Sequence, residues 1–306
     1  MHKCPDPDAA GAAIALASAL KQKRKHVEIG VKGDSFSKST KLLLEKTGFS
    51  INSKPDYNKD CIIVMDTNSP ALFPLDKVLK SNAKKLIIDH HHPKPEVIAS
   101  FDNALIDEEA VSTTQIVFHL LDEMNIKFTH KICLAISAGI LTDSANFVAA
   151  TVDSFIVLGE VLARGKVQFR EVLASISVPM DLSEKIARLK AAQRLKFYRD
   201  GNYLITSTKV SSFEGGVAKA MLYVGADVSF VGAAREGEVR ISARAKNDVI
   251  DKGIHLGRDV MPLVADLIGG DAGGHAGAAG ANGTRPDALD EALRVCIERT
   301  KELLKS

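Results

Sequence analysis

Hydrophobic and polar residues follow two different patterns in the first part of the chain. Short apolar runs without alternation occur at Val27–Val31, Cys61–Met65 and Leu86–Ile88. Other stretches, such as Thr113–Met124 and Ile132–Leu141, place apolar residues three to four positions apart. A strand buried on both faces of a parallel sheet is apolar throughout, whereas a helix that covers the sheet is apolar on one side. The pattern predicts an α/β fold, with a doubly wound parallel sheet and helices on both of its faces.

The spacing of apolar residues changes after about residue 150, and we expect a second, smaller α/β domain in the C-terminal part. Pro179 breaks a helical pattern, and a new strand pattern begins near Asn202. We therefore predict a first domain at 1–180, a linker helix at 181–199 and a second domain at 200–306. The elements expected after residue 150 are helices within 151–178, a linker helix over Ser183–Arg199 capped by Ser183, a hairpin of Val228–Ala234 and Val239–Ala243, and a final helix from about Asp287 to Leu304.

Composition agrees with a soluble protein that has two modest cores, because the 306 residues are 45% hydrophobic. The longest low-polarity stretch near the start, Ala9–Leu20, is too short to span a membrane. Four cysteines are scattered without Cys-x-x-Cys spacing, which is typical of reduced thiols. We therefore expect a cytoplasmic protein without a membrane partner.

Charge excludes one class of nucleic-acid binder. Residues 1–180 carry 21 basic and 21 acidic side chains, and residues 181–306 carry 19 and 17, so neither domain has the broad basic surface expected for long nucleic acid. Within the predicted linker helix, four basic residues fall on one edge. This edge is equally well explained as the lining of a cleft and as a solvated helix face. Its members are Lys185, Arg188, Lys196 and Arg199.

Side chains that bind metals stand at the ends of four predicted segments. The carboxyl ends of parallel strands meet at one edge of a sheet, where open α/β sheets bind their ligands. Carboxylate and imidazole groups from four segments are sufficient for two divalent ions of borderline hardness, such as Mn²⁺. These residues are His2, Asp6 and Asp8 at the chain start, Asp66 after Cys61–Met65, the triplet Asp89, His90 and His91 after Leu86–Ile88, and Asp143 after an apolar helix.

A second group of candidates lies in the C-terminal part. The segment Gly273–Gly280 reads Gly-Gly-His-Ala-Gly-Ala-Ala-Gly, and Ser242-Ala-Arg244 lies upstream of it. Backbone N–H groups in such a glycine-rich loop can approach a phosphate closely, and the arginine fork matches phosphate oxygens. Glycine and alanine runs also allow tight helix crossings. From these residues alone, packing and ligand binding both remain open.

The motifs and their order resemble the DHH phosphoesterase superfamily, which includes RecJ-type exonucleases, oligoribonucleases and family II pyrophosphatases. The glycine-rich segment with Ser242 and Arg244 resembles its DHHA1 domain. The resemblance covers nearly the whole chain and is nearest to archaeal nucleases and bacterial oligoribonucleases. In that family an apolar strand precedes the first histidine, whereas only Met1 precedes His2 here. Either the start is clipped or the sheet lacks its first strand, so we expect His2 and Asp6 to lie on a fraying chain end.

The resemblance also implies a role for each candidate residue. It implies two divalent ions, most simply Mn²⁺ and alternatively Mg²⁺. The implied metal ligands are His2 and Asp6 for the first ion, Asp66 for both ions, and Asp8, His90 and Asp143 for the second ion. The implied catalytic pair is His91 and Asp89. His91 would lie beside the scissile phosphate, and Asp89 would hydrogen-bond to a histidine without binding a metal ion itself. The implied substrate-binding residues are Ser242, Arg244, Gly273, Gly274 and His275.

The expected function is therefore metal-dependent phosphodiester hydrolysis at the ends of single-stranded or short nucleic acids, by an exonuclease or oligoribonuclease. One alternative is a small-molecule phosphoesterase acting on a cyclic dinucleotide or on 3′-phosphoadenosine 5′-phosphate. Another is a non-catalytic replication or repair scaffold, which would predict damaged ligands. The Gly-Gly-His segment disfavours a family II pyrophosphatase. The sequence does not indicate the polarity of digestion, the protein partners or whether the protein forms a homodimer.

Overall fold

The chain divides into two compact units, Met1–Val178 and Pro179–Ser306. The structure is a computed structural model, and it describes residues 1–33, 35–67, 69, 71–92 and 94–305. The first unit contains a parallel sheet and the second a mixed sheet, which confirms the predicted α/β class. Each unit has its own large cluster of buried apolar side chains.

Helices outnumber strands in the described part of the first unit. Its strands are β1 (Cys61–Met65), β2 (Lys84–Asp89) and β3 (Asn103–Ile106). Its helices are α1 (Pro7–Gln22), α2 (Lys38–Thr47), α3 (Leu75–Lys80), α4 (Pro95–Ile98), α5 (Thr113–Glu123), α6 (His130–Asp143), α7 (Val152–Gly165) and α8 (Phe169–Ile176). The helices predicted around residues 113–124 and 132–141 are therefore confirmed.

The parallel sheet of the first unit has the order β1-β2-β3 and is covered on both faces. Val64 and Ile87 belong to a cluster on one face, whereas Met65 and Ile88 belong to the larger core on the other. This alternation explains why the strands are apolar throughout. Each crossover passes through a helix, α3 or α4, so the carboxyl ends of β1 and β2 meet at one edge.

The predicted strand Val27–Val31 is wrong. In the described part of the chain this segment forms only one parallel bridge, from Gly30 to Asn52. An apolar run becomes a strand only where a neighbouring strand completes its hydrogen bonds, and β1 pairs with β2 alone among the described strands. A groove of about 870 Å³ lies beside β1 and is lined by this segment. The N-terminal amine of Met1 donates to the Gly30 carbonyl at 3.3 Å.

The apolar stretch near the chain start is a buried helix. Helix α1 crosses α6 closely, because a Cβ on Gly11 would lie only 2.4 Å from the carbonyl oxygen of Ala135. Alanine and glycine on α1 permit this approach, and most of the helix is buried as a result. Among the residues the structure describes, no helix has the length and apolarity that a bilayer crossing requires.

The second unit contains a six-stranded sheet in the order β4-β5-β6-β7-β9-β8. Only β5 and β6 are parallel neighbours. The strands are β4 (Lys196–Asp200), β5 (Tyr203–Lys209), β6 (Val228–Arg235), β7 (Glu238–Ala245), β8 (Gly270–Gly274) and β9 (Ala278–Gly283). The helices are α9 (Leu182–Gln193), α10 (Glu214–Val224), α11 (Asn247–Ile250), α12 (Met261–Ile268) and α13 (Leu289–Lys305), with a π-helical turn at Leu256–Val260 and a 3-10 turn at Pro286–Ala288.

The predicted linker helix over residues 181–199 is wrong in its second half. Helix α9 is capped by Asp181, not by Ser183, and it ends at Gln193. Residues 196–200 form β4 instead, because this aromatic segment pairs antiparallel with β5. Lys196 and Arg199 are an odd number of positions apart on a strand, so they point to opposite faces of the sheet. The predicted basic edge therefore does not exist.

The glycine-rich segment is a hairpin and not an extended loop. Gly273 and Gly274 belong to β8, His275 lies in the turn, and Ala278–Gly283 forms β9. Small residues let the two strands approach, since a Cβ on Gly270 would overlap the Asn282 carbonyl at 1.9 Å. The hairpin predicted from Val228–Ala234 and Val239–Ala243 is confirmed as β6 and β7, and the final helix as α13.

Candidate metal centre

Two carboxylates are fixed by the start of α1. Asp6 caps the helix, and its Oδ1 accepts from the backbone N–H groups of Asp8 and Ala9 at 3.0 Å each. A capping carboxylate is stabilised by these donors and by the positive end of the helix dipole. Asp8 lies in the first turn and is fully buried. The start of α1 thus places two of the predicted metal ligands.

Asp66 follows directly on β1 and is 3% exposed. Its φ of +57° is in the left-handed region, which aspartate tolerates better than most side chains. The Nε2 atoms of His2 and His90 both lie 3.6 Å from this carboxylate, His2 from Oδ2 and His90 from Oδ1. Asp66 therefore stands between two histidines that come from different segments.

The Asp-His-His triplet begins with the last residue of β2. Asp89 is fully buried, and its Oδ1 accepts from the backbone N–H groups of His90 and His91 at 2.9 and 3.3 Å. The same oxygen lies 2.7 Å from Nδ1 of His91, whose side chain is 55% exposed. Asp89 therefore fixes the turn and orients the ring of His91, but it belongs to none of the groups that could hold an ion among the described residues.

Asp143 is the last residue of α6, and its Oδ2 lies 3.3 Å from Nε2 of His90. The six residues predicted as metal ligands come together in two clusters that share Asp66, and a third group of possible ligands joins Asp66 and His90 to His91. Cluster A consists of His2, Asp6 and Asp66. Cluster B consists of Asp8, Asp66, His90 and Asp143, and in each cluster the ligand atoms lie within 4.8 Å of one another.

The nitrogen and oxygen atoms that face each other in these clusters are suited to bind a cation. His2 and His90 each place Nδ1 near a backbone carbonyl, of Lys3 at 2.8 Å and of Ala110 at 3.3 Å. A carbonyl only accepts, so each neutral ring carries its proton on Nδ1 and leaves the lone pair of Nε2 for an ion. Nε2 of His90 is buried and has no hydrogen-bond partner among the described residues. An orphaned nitrogen facing carboxylates is the arrangement a bound metal would complete.

Electrostatics also favour a cation. Burial raises the pKa of Asp8 well above its usual range, and the nearby charges of Asp66 and Asp143 raise it further. Burial lowers the pKa of His90, but the surrounding carboxylates, Asp143 foremost, outweigh it and raise the pKa to about 9. A set of close, buried carboxylates repels itself in the absence of positive charge.

Three further residues shape the site and were missed by sequence reasoning. Thr113 and Thr114, at the start of α5, donate hydrogen bonds to Asp8, and Thr113 also donates to Asp66. Gly139 on α6 makes room for them, since a Cβ there would lie 2.4 Å from Thr114 and 2.5 Å from Asp8. The Ser-Thr-Thr signature of a helix start is visible in the sequence, but its partner Asp8 is more than one hundred positions away and its partner Asp66 is 47 positions away.

The predicted substrate residues lie on the sheet of the second unit. Ser242 and Arg244 are half-buried on one face of β7, with Ser242 in register with Gly280, which is in turn in register with Gly273. Gly274 ends β8, and exposed His275 follows in the turn. Nη1 of Arg244 donates to the carbonyl of Ala243 at 2.8 Å. The structure thus brings Ser242, Arg244 and Gly273 onto one sheet, and their part in substrate binding stays a prediction.

Comparison with known protein families agrees with this arrangement. The DHH family model, described as its N-terminal domain, matches residues 1–140, and the DHHA1 domain model matches residues 216–302. The chain therefore contains a DHH N-terminal domain and a DHHA1 domain. The DHH match contains all the predicted metal ligands except Asp143, and the DHHA1 match contains all the predicted substrate residues.

Individual relatives match over different shares of their length. The uncharacterized protein MJ0988 of Methanocaldococcus jannaschii is 29% identical over 314 residues, covering 99% of this chain and 94% of that protein. The probable bifunctional oligoribonuclease and PAP phosphatase NrnA of Streptococcus mutans is 29% identical over 194 residues, covering 62% of this chain and 58% of that protein. A crystal structure of an exopolyphosphatase-related protein from Bacteroides fragilis has the same fold, with a TM-score of 0.64 at 20% identity and coverage of 100% and 92% of the two chains.

Proposed function

We propose that this protein is a metal-dependent phosphodiesterase that hydrolyses phosphodiester bonds at the ends of single-stranded or short nucleic acids. The observation that carries the proposal is the pair of ligand clusters that share Asp66. Two adjacent cation sites joined by one carboxylate are a recurring arrangement for displacement at phosphorus. A non-catalytic scaffold has no need for six intact ligands, so their presence favours an enzyme.

The ligand set is better suited to Mn²⁺ than to Ca²⁺. In cluster A, His2, Asp6 and Asp66 would hold one ion, and cluster B would hold a second. Two imidazoles among mainly carboxylate ligands suit a cation of borderline hardness, whereas Ca²⁺ prefers oxygen alone. When bound, such ions lower the pKa of a coordinated water and stabilise the charge that develops on the phosphate oxygens. Mg²⁺ is the second choice.

Besides the metal ions, we propose His91 as the side chain that acts directly on the phosphate. Its Nδ1 bonds to Asp89 Oδ1 at 2.7 Å, and this bond raises the pKa of His91, which favours the charged imidazolium. The bond also holds the ring so that Nε2, on its far side, is available to a ligand. An imidazolium held beside the ligand clusters can donate to a phosphate oxygen and neutralise part of its charge. Asp89 acts through His91 by orienting it.

The second unit is the proposed binding surface for the nucleotide. Arg244 offers a planar pair of donors to phosphate oxygens, and Ser242 lies two residues away on the same face of β7. His275 is exposed in the turn between β8 and β9, where the small residues Gly273 and Gly274 leave backbone groups accessible. These residues would bind the substrate, and the groups of the first unit would perform the chemistry.

Two sizes of substrate are compatible with the site, a short nucleic acid and a small nucleotide. The relative NrnA is described as a probable bifunctional oligoribonuclease and PAP phosphatase, so it supports a short nucleic acid and a small nucleotide alike. We favour short nucleic acids because neither half of the chain is basic enough for long ones. A small-molecule phosphoesterase would use the same clusters and the same Arg244.

The test is turnover of a substrate panel by the purified chain with Mn²⁺. The panel contains labelled oligonucleotides of two, five and twenty nucleotides, a cyclic dinucleotide, 3′-phosphoadenosine 5′-phosphate and inorganic pyrophosphate. We expect release of mononucleotides from the short oligonucleotides and loss of activity with a chelator. Faster turnover of the cyclic dinucleotide or the bisphosphate would replace the proposal by the small-molecule alternative. Turnover of none of them, at any Mn²⁺ concentration, would favour a scaffold.

A further inference from the structure

Two threonines at the start of α5 hydrogen-bond to carboxylates of cluster B. Asp8 Oδ2 accepts from the backbone N–H of Thr113 at 2.7 Å. Asp8 Oδ1 accepts twice from Thr114, from the backbone N–H at 2.9 Å and from the hydroxyl at 2.7 Å. The hydroxyl of Thr113 donates to Asp66 Oδ1 at 3.0 Å. All four residues are buried, so water does not compete for these bonds.

These bonds leave Asp8 one direction in which to bind an ion. A carboxylate oxygen has about two lone pairs in its plane. Both lone pairs of Oδ1 are used by Thr114, and one lone pair of Oδ2 is used by Thr113. The remaining acceptor is the second lone pair of Oδ2. Asp8 would therefore bind an ion through one oxygen only, and three donors fix the rotation of its carboxylate.

The bond from Thr113 fixes the rotation of the shared carboxylate. Asp66 Oδ1 faces His90, a member of cluster B, whereas Asp66 Oδ2 faces His2, a member of cluster A. A hydroxyl bound to Oδ1 opposes rotation about χ2, which would turn both oxygens away from their clusters. The orientation in which Asp66 would be shared by two ions thus depends on a donor that belongs to neither cluster.

Helix capping does not account for the Thr113 hydroxyl, whereas the Thr114 hydroxyl also lies 2.9 Å from Oγ of the capping residue Ser112. The capping residue of α5 is Ser112, whose Oγ accepts from the N–H of Gln115. Packing around the hydroxyls is also specific, because Gly139 is the residue whose missing Cβ leaves space for Thr114 beside Asp8. A helix start that is already capped by Ser112 has no local need for a buried Thr113 hydroxyl that donates to Asp66.

We infer that Thr113 and Thr114 are positioning residues for the second ion, holding Asp8 in a one-oxygen binding mode and Asp66 in its bridging orientation. The inference rests on the proposed metal-dependent function. It predicts that the Thr113 hydroxyl contributes to metal affinity and to turnover, while it contributes nothing to the affinity for the nucleotide. It also predicts that serine, which keeps the hydroxyl, can replace threonine at this position.

The experiment compares Thr113→Val with Thr113→Ser on the full chain. Valine has the shape of threonine without the hydroxyl, and the backbone bond to Asp8 is retained. Thr47→Val is the matched control, because Thr47 is also buried and its hydroxyl donates to the carbonyls of its own helix. The readouts are Mn²⁺ stoichiometry and affinity by calorimetry, the spin-coupled signal of a Mn²⁺ pair by electron paramagnetic resonance, thermal unfolding in chelator, and kcat and KM.

We expect Thr113→Val to weaken the binding of one of two Mn²⁺ ions about tenfold or more, the range of a hydrogen bond to a charged group. The coupled signal should weaken at equal metal, and kcat should fall with KM for the nucleotide unchanged. Thr113→Ser and Thr47→Val should both resemble the unchanged protein. Unfolding in chelator should be similar for all of them.

Two results would overturn the inference in different ways. If the unchanged protein binds two Mn²⁺ ions and Thr113→Val binds them equally well, the hydroxyl has no positioning role and the proposed function stands. If the unchanged protein binds no Mn²⁺, the proposed function fails and the inference fails with it. If Thr113→Val unfolds below the assay temperature, the same measurements on Thr114→Val test the inference, since this variant loses one of the three hydrogen bonds to Asp8.

Discussion

The acidic clusters of the first unit and the Arg244 surface of the second unit are built in opposite ways. Asp8 and Asp66 are buried, and each accepts hydrogen bonds from residues distant in sequence. Arg244 is half-buried and bonds to the carbonyl of its neighbour Ala243, and His275 is exposed. The first region has its geometry fixed by the fold, whereas the second region leaves its donors accessible.

This difference follows from what each region would have to do. Burying several carboxylates together is costly unless a cation neutralises them, and ions are held tightly only where ligand positions are fixed in advance. A surface that binds a phosphate must instead exchange its ligand, so its donors have to reach solvent. We therefore expect small changes in the clusters to have large effects, and larger changes on the Arg244 surface to have moderate ones.

The largest effect is expected for Asp66→Asn. Asparagine keeps the shape of Asp66 and tolerates its φ of +57°, but it removes the charge and one of the two ligand oxygens. Both clusters lose a member, so activity should fall by more than the roughly 10- to 100-fold typical for loss of a residue that only supports a metal ligand. The measurements are turnover of a short oligonucleotide and bound Mn²⁺.

Asp122→Asn is the control for this change. Asp122 is exposed and pairs with Arg164 on the surface, where an ion pair contributes little. Unfolding of metal-free Asp66→Asn should occur at an equal or higher temperature than in the unchanged protein, because one of several repelling carboxylates is gone. Near-normal turnover in Asp66→Asn would contradict a shared ligand and reduce the two clusters to a structural feature.

The next largest effect is expected for Gly139→Ala, which adds one methyl group. That methyl would lie 2.4 Å from Thr114 and 2.5 Å from Asp8, so α6 or the start of α5 has to move. We expect Mn²⁺ affinity to fall by at least tenfold and thermal stability to fall as well. Gly159→Ala is the matched control, because it also lies in a helix and its added Cβ would meet no atom within 4 Å. Equal Mn²⁺ binding in both variants would show that the clusters tolerate displacement.

The sequence could predict which side chains cluster because their positions follow from local rules. Asp6 and Asp8 stand at a helix start, and Asp66 and His90 stand at the carboxyl ends of parallel strands. Each of these places can be recognised from a few neighbouring residues, and the strand ends converge in any open α/β sheet. The helices α5, α6 and α13 were predictable for the same reason, since their apolar period is local.

Features that depend on partners distant in sequence could not be predicted. Val27–Val31 has the composition of a strand but pairs only through Gly30, because no described strand lies beside it along its length. Residues 196–200 continue a plausible helical pattern, yet pairing with β5 decides their structure. Thr113 and Thr114 bond to a residue more than one hundred positions away. These outcomes are set by tertiary contacts that a local pattern does not contain.

The smallest effect is expected for Arg244→Ala on the second unit. Loss of a hydrogen bond to a charged group costs about 1.5–3 kcal/mol, which corresponds to a roughly 10- to 150-fold increase in KM. Mn²⁺ stoichiometry and affinity should be unchanged, because the ligand clusters belong to the first unit. The measurements are KM and kcat on a dinucleotide and calorimetry with Mn²⁺ alone.

Arg294→Ala is the control for Arg244→Ala, since Arg294 is exposed on α13 and pairs with Glu291 three residues earlier. A change in KM without a change in metal binding would sharpen the contrast between the two regions, because binding and chemistry would then be separable by unit. A loss of Mn²⁺ affinity in Arg244→Ala would break that contrast. Binding and chemistry would then not be separable by unit.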